Sequence, residues 1–339
     1  MAGYTLQGKT ETGSMVDIPL AATYDSAGNS IVDYYAAKTE YENMMAKLAT
    51  MDEKLNVVVG ITGDSSLEGA SWSTISSASK AGLASTLWKV GDEKKVTLST
   101  GEEITLVILG FNHDDKSDGT GKAGITFGMK NALATAYPIN STNTNVGGWT
   151  SSVMRTTTMA TLLGYLPTEV QEVITPVNKL TSAGNLSSTI NTTEDKLFLF
   201  SMEEIMGTHM YSTTTQYAFS GEGTQYEYYK NAPLPTPTSG TGTFTALNGG
   251  STGTFYTTDT AVASGYTDMF GTARTTTANR YYNYNNAKAR GDSATSASIW
   301  WLRSPNCNSS SHFCYVSSGG YVISVGASGS NGVAFGFCI

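Results

Sequence analysis

The chain has 339 residues, enough for one large domain with an appended segment, and only 14% of them are charged. Its net charge of -8, with no cluster of Lys and Arg, argues against a nucleic-acid partner, and no apolar run is long enough to span a membrane. Gly, Ser, Thr, Asn and Tyr fill the space left by the missing charges, the palette of turn-rich β proteins and of adaptable binding loops.

Residues 1–33 have little apolar periodicity and carry the turn signal Asp25-Ser26-Ala27-Gly28-Asn29. They are expected to form an extended attachment arm that orders on a partner surface. Met1 to Lys9 lacks the charged-then-apolar layout of a secretory signal, so export by that route is not expected. Over residues 34–58, Tyr34, Ala37, Tyr41, Met44, Leu48, Met51, Leu55 and Val58 recur at alternating spacings of three and four. That heptad pattern predicts a coiled-coil helix, hence a parallel homo-oligomer, with a helix docked on its own domain as the alternative.

From residue 59 to the end a mixed pattern predicts one α+β domain. Val57 to Ile61 reads as a strand and Ser73 to Ala84 as a helix. Lys95 to Thr100 and Glu103 to Gly110 read as a hairpin turning at Thr100-Gly101. Ser152 to Leu163 and Thr168 to Lys179 look helical. Lys196 to Phe200 reads as a strand, and Met202 to Met206 as a short helix. Residues 231–253, rich in Pro, Thr, Gly and Ser, read as a long loop or insertion.

No constellation demands catalysis. His113-Asp114-Asp115 with Asp118 could offer oxygen ligands to calcium, but the spacing matches no calcium loop and a solvated turn is the simpler reading. His113, His209 and His312 stand far apart, without a nucleophile context. Glu203-Glu204 and Glu222 read as isolated acids. The Gly-rich stretch 239–253 lacks the Lys-Ser/Thr ending of a phosphate loop. Cys307, Cys314 and Cys338 fit no zinc spacing and read as small apolar residues. No catalytic residue, metal or cofactor is therefore expected.

The last forty residues differ from the rest. Trp300-Trp301-Leu302-Arg303-Ser304-Pro305 and Gly332-Val333-Ala334-Phe335-Gly336-Phe337-Cys338-Ile339 read as core strands. Between them a hairpin is predicted from Phe313 to Ser317 and Tyr321 to Val325, turning at Ser318-Gly319-Gly320. Alternation puts Cys314, Val316 and Val322 on one face and Phe313, Tyr315, Tyr321, Ile323 and Val325 on the other. Either both faces are buried, or the hairpin displays an aromatic-containing patch of the kind that marks an interaction site. Asn306 to Asn331 contains no Lys, Glu, Gln, Met or Trp, and every residue type present can be encoded by a codon ending in a pyrimidine.

The Trp-Trp-Leu-Arg-Ser-Pro opening and the Gly-Val-Ala-Phe-Gly-Phe-Cys-Ile ending resemble the variable proteins of diversity-generating retroelements. In that family an error-prone reverse transcriptase rewrites adenine-containing codons near the end of a gene. Val16-Asp17-Ile18-Pro19-Leu20-Ala21-Ala22 with Tyr24-Asp25, Gly110-Phe111-Asn112-His113 and Lys196-Leu197-Phe198-Leu199-Phe200 resemble phage tail proteins of this type. The sequence departs from the family's common Gly-Val-Arg-Pro ending at Gly332-Val333-Ala334-Phe335.

The resemblance implies a C-type lectin-like fold over 59–339, preceded by an oligomerising helix, with a variable region of about 306–331. It implies ligand-binding positions at Asn306, Cys307, Asn308, Ser309, Ser310, Ser311, His312, Tyr315, Ser317, Ser318, Tyr321, Ile323, Ser324, Val325, Gly326, Ser328 and Ser330. Trp300, Trp301, Arg303, Phe313, Cys314, Val316, Val322 and Phe335 would be the invariant scaffold. The implied function is a non-enzymatic phage tail receptor-binding protein, a homo-oligomer with a trimer favoured, that binds a bacterial surface protein or glycan. It would sit in the virion, be made in the host cytoplasm without a signal peptide, and contact other tail proteins through its N-terminal arm. The alternatives are a structural tail or head-decoration protein, and an enzyme of the formylglycine-generating kind using Cys307 or Cys314.

Overall fold

The computed structural model describes residues 5–9, 15–19, 38–51, 66–211, 215–230 and 286–339, and the backbone of five short strands between 244 and 282. The chain divides into two compact units, Met1–Val59 and Gly60–Ile339.

In the first unit, β1 (Thr5–Lys9) pairs antiparallel with β2 (Met15–Pro19), with Leu6 opposite Ile18. This part of the expected extended arm is thus paired with itself as a hairpin. Residues 38–51 form the helix α1, in which Tyr41, Met44, Leu48 and Met51 are exposed at the heptad spacing. Tyr34, Ala37, Leu55 and Val58 lie outside the described residues, as does the expected strand at Val57 to Ile61.

The second unit is α+β with antiparallel sheets. It opens with α2 (Trp72–Lys80), where the Ser71 hydroxyl caps the first turn by accepting from the Thr74 amide. The short α3 (Ala84–Leu87) follows, and Gly82 at positive φ separates the two, so the expected helix over Ser73 to Ala84 stops early. Then come β3 (Glu93–Thr97), β4 (Glu103–Phe111) and β5 (Ile125–Met129). The expected hairpin is present: Thr97 pairs with Glu103 across a turn containing Gly101.

Next are α4 (Gly148–Ser151), a π-helical turn (Met154–Thr158) running into α5 (Met159–Tyr165), and α6 (Thr168–Gln171). The helix expected to reach Lys179 is only this one turn long. Pro176 cannot continue a helix and biases its predecessor to extended backbone, and β6 (Val177–Gly184) begins directly after it, pairing with β7 (Ser187–Asp195). Lys196 to Phe200 is not a strand: Lys196 is exposed, and Leu197 to Phe200 form a buried run with one bridge, Phe198 to Gly336. α7 (Met202–Met206) is as expected, closed by a capping box between Ser201 and Glu204 and by Gly207 in the left-handed region. α8 (Glu227–Lys230) follows.

Of the expected loop 231–253, only β8 (Phe244–Ala246) lies within the described residues. It forms a small sheet with β9 (Tyr256–Thr258) and β12 (Tyr281–Tyr282), while β10 (Tyr266–Thr267) pairs with β11 (Ala273–Arg274). The chain ends with β13 (Trp300–Pro305), β14 (His312–Val316), β15 (Val322–Gly326) and β16 (Gly336–Cys338).

Two sheets position the C-terminal segment. β16 returns to the edge of the sheet β16-β5-β4-β3, and β13-β14-β15 form a second, three-stranded sheet. Trp72, Phe127 and Phe337 pack together in the first, with Phe127 and Phe337 ring centres 5.5 Å apart. Phe200 links Phe198, Tyr226 and Trp300 by edge-on contacts of 5.7 to 6.5 Å, joining β13 to the core. Each such buried aromatic is worth on the order of 2–3 kcal/mol of burial, so both ends of the segment are anchored.

Candidate functional site: the face of residues 306–331

The site rests on a buried, hydrogen-bonded frame. All six residues of β13 are buried, as are Asn331 to Ile339. The indole N–H of Trp300 donates to the Asn286 carbonyl (2.9 Å), and that of Trp301 to the Tyr137 carbonyl (2.8 Å). Gly332 passes so close to its neighbours that a Cβ there would lie 2.7 Å from the Ile299 carbonyl oxygen. Only glycine fits that crossing.

Arg303 is the frame's electrostatic tie. Fully buried on β13, it grips the Glu204 carboxylate with both terminal nitrogens and donates to the carbonyls of Leu199 and Glu222, each at 2.8 Å. Its Nε donates to the Thr181 hydroxyl at 2.9 Å. Lys179, also buried, sits 2.6 Å from both Asp114 and Glu204. Burial alone would raise the Asp114 and Glu204 carboxyls, but Lys179 beside the first, and Arg303 with Lys179 beside the second, hold both below their usual range. Lys179 is raised in turn, since its two carboxylate partners outweigh its own desolvation. Removing one member of such a network strands a buried charge, at a cost of about 3–5 kcal/mol.

Glu222 is the exception. Burial pushes its carboxyl up to about 7, against hydrogen bonds from the Ser304 hydroxyl and the Ser182 amide and the charge of Arg303. Glu204 and Glu222, read from the sequence as isolated acids, therefore both meet β13. The Ser201-x-x-Glu204 capping box was legible; its second task of holding Arg303 was not.

The expected scaffold residues Trp300, Trp301, Arg303, Phe313, Cys314, Val316, Val322 and Phe335 are all buried. The hairpin has the expected register, with Tyr315 opposite Ile323 and Val316 opposite Val322, and Gly320 takes a positive φ in the turn. Phe313 departs from simple alternation, being buried although it shares a strand face with half-exposed Tyr315, and Ser324 departs the other way, half-buried opposite buried Cys314. The irregularity of β13 between Trp301 and Pro305 brings Pro305 opposite it.

Most expected ligand-binding positions lie at the surface. Asn308, Ser310, Ser328 and Ser330 are exposed. Cys307, Ser309, Ser311, His312, Tyr315, Ser318, Tyr321, Ile323, Ser324, Val325 and Gly326 are half-buried. Two differ. Asn306 is only 3% exposed and braces the loop from beneath, donating to the Ser324 hydroxyl (2.9 Å) and accepting from the Asn308 amide (2.7 Å). Ser317 is also buried, and its hydroxyl accepts from the Gly319 amide within the turn. Tyr315 stands edge-on to Trp301 at 6.3 Å, which seats one side of the ring and leaves part of it open.

Residues 216–217 and 140–145, outside the expected ligand-binding positions, complete the site. The Tyr217 carbonyl accepts from the Cys307 amide (2.9 Å), and the Gln216 carbonyl accepts from the Asn308 side chain (2.6 Å). Tyr217 stacks on Tyr211 with ring centres 4.3 Å apart. On the other side, residues 140–145 lie along both loops of the 306–331 segment through Asn140, Asn143 and Asn145. Three asparagines at spacings of three and two were the available signal, hidden in a run that reads only as a polar turn.

The other candidates for chemistry separate. Asp114 turns inward to Lys179, Asp115 pairs with Lys122 and Asp118 with Thr120, so the acids of the 113–118 stretch serve different bonds. Among the described residues, no three His, Cys, Asp or Glu gather as a metal site would require. The three cysteines are free, and burial raises the thiol of each. No described helix is long and apolar enough to cross a membrane.

Fold and site together define an α+β domain that carries a surface loop-and-hairpin face on a buried aromatic and ionic frame. Residues 123–339, well over half of the chain, match a family described as a domain of unknown function (DUF6273), and the chain belongs to that family. The matched region takes in the whole face, the 140–145 segment and the frame apart from Asp114. No curated protein and no solved structure matches the chain.

Proposed function

We propose that this protein is a non-enzymatic receptor-binding protein of a phage tail, whose ligand face is the diversified segment 306–331 of a C-type lectin-like domain. The observation that carries this reading is the sharp division within the last forty residues. The blocks on either side are buried and tied by Trp300, Trp301 and Arg303, while fifteen of the seventeen positions singled out between them are at least partly exposed. A segment meant to vary needs that arrangement, because changes at its surface leave the core untouched. Half-exposed Tyr315 and Tyr321 supply rigid aromatic contact area, and the serines around them supply adaptable hydrogen bonds. The raised thiols of Cys307 and Cys314 suit this better than catalysis, since a nucleophilic cysteine needs a lowered pKa.

The ligand is a protein or glycan of the bacterial surface. The exposed heptad stripe of α1 supports a homo-oligomer, with a trimer favoured, and residues 1–33 attach to other tail proteins. The protein is made in the host cytoplasm and carried in the virion, and neither nucleic acid nor membrane insertion enters its action.

The test is to sequence the gene and the few kilobases after it in sibling isolates. A near-copy of the 300–339 coding segment, a reverse transcriptase gene, and differences confined to template adenines are expected. An invariant segment without such a copy would overturn the diversified face and favour a structural tail or head-decoration role.

A further inference from the structure

We propose that Asn145 is the positioning residue of the variable face, fixing the course of its main chain so that side chains there can change without moving the loop. This rests on the reading of 306–331 as a ligand face.

Asn145 is fully buried, and every polar group of its side chain is used. Its Nδ2 donates to the carbonyls of Ser309 (2.6 Å) and His312 (2.8 Å). Its own amide donates to the Ser310 carbonyl at 2.8 Å. Its Oδ1 accepts from the Asn185 amide at 2.8 Å, tying the loop to the β6–β7 turn. Three of the four carbonyls from Ser309 to His312 are therefore held by one residue outside the variable segment.

Neighbouring residues extend the pattern to the second loop. The Asn140 amide donates to the Ala327 carbonyl at 3.0 Å, and the Asn143 Oδ1 accepts from the Ser328 amide at 3.0 Å. From the opposite side, the Tyr217 carbonyl takes the Cys307 amide. Side-chain bonds from the segment to fixed residues also occur, from Asn308 and Cys307 to the Gln216 carbonyl and from Ser328 Oγ to Asn143. They lie at the margins, and none involves Ser309, Ser310 or Ser311. A carbonyl is the same whatever the side chain, so a clamp on carbonyls is indifferent to sequence. A loop held instead by its own serines would be remodelled at each substitution.

Ligand-free full-length chain, followed by amide hydrogen exchange, separates these two modes. Asn145→Asp keeps the size and the acceptor toward Asn185 but loses both donors. It is expected to speed exchange of amides 308–312 and of Ala327 by at least about tenfold, with the β3–β5 amides unchanged. The quadruple variant Asn308→Ala, Ser309→Ala, Ser310→Ala, Ser311→Ala removes the Ser309 hydroxyl that accepts from the Ser311 amide, and is expected to change exchange of the other loop amides by less than about threefold. Should Asn145→Asp not fold, Asn143→Ala at the exposed edge is expected to loosen 326–329 alone. Loop exchange unaltered by Asn145→Asp, or raised equally by the quadruple alanine, would overturn the proposal. So would faster exchange spread over the whole domain. No ligand and no sibling sequence enters this experiment, so its failure is distinct from failure of the receptor-binding reading.

Discussion

Glu222 carries the least compensated charge beneath the face. It is buried among the Ser182 amide, the Ser304 hydroxyl and Arg303, with Glu203 near enough to oppose its ionisation, and its carboxyl stands at about 7 where 4.5 is ordinary. Below pH 4.5 the group is protonated in both folded and unfolded chains and makes no difference. Between 4.5 and 7 the unfolded chain gives up its proton first, so the stability that protonated Glu222 provides is lost as pH rises. The gap corresponds to about 3 kcal/mol, complete above pH 7. Glu222→Gln stays neutral throughout. The stability difference between variant and wild type, measured by urea unfolding, should therefore grow by that order from pH 4.5 to 7.5. A difference that stays flat would mean that Arg303 keeps Glu222 ionised in the fold. Nothing in the local sequence announces this residue, because its partners lie forty residues before it and eighty-two after it.

At the level of elements, what could be read from the chain was whatever local chemistry dictates. The β14–β15 hairpin follows from period-two alternation around Ser-Gly-Gly, and α7 from a capping box closed by glycine. The expected helix over Thr168 to Lys179 overruns the first three residues of β6 because the apolar spacing of Val170, Val173, Ile174 and Val177 fits a helical face; Pro176 is the signal against it. The β6–β7 turn shows a conflict that local rules leave open. Asn185 and Leu186 both take positive φ, 51 and 63 degrees, in a two-residue turn whose geometry favours Asn-Gly. Leu186 is more than half exposed, so it gains little burial to offset about 1–2 kcal/mol of left-handed strain. Leu186→Gly is accordingly expected to stabilise the protein by roughly 1 kcal/mol, less what glycine costs through unfolded-chain entropy. A lower urea midpoint for the variant would show that Leu186 packs usefully and that the turn is not strained. Because the Asn145 Oδ1 accepts from the Asn185 amide, the same turn braces the 309–312 loop.

For the whole molecule, the decisive feature is the helix α1. Tyr41, Met44, Leu48 and Met51 are each at least half exposed in the single chain, an apolar stripe at coiled-coil spacing. The two heptads of α1 are short for a free coiled coil, so association through α1 should be reversible and sensitive to single charges. If the proposed homo-oligomer forms through this stripe, Met44→Asp with Leu48→Asp places carboxylates at adjacent core positions, and sedimentation of the full chain should shift from trimer to monomer. The melting of Gly60–Ile339 should be unaffected, because that unit has its own core. On the proposed receptor-binding reading, the functional consequence would be avidity. Several weak faces carried on one stem bind a decorated surface about 100-fold or more tighter than one face alone. The double variant should thus keep its exchange-protected 306–312 loop yet adsorb to host cells at least about 100-fold more weakly. A variant that stays trimeric would place the association surface elsewhere and return α1 to the role of a helix docked within its own chain. A monomer that adsorbs as well as the wild type would mean that a single face already binds tightly, which a diversifying surface attains only for a ligand it fits closely.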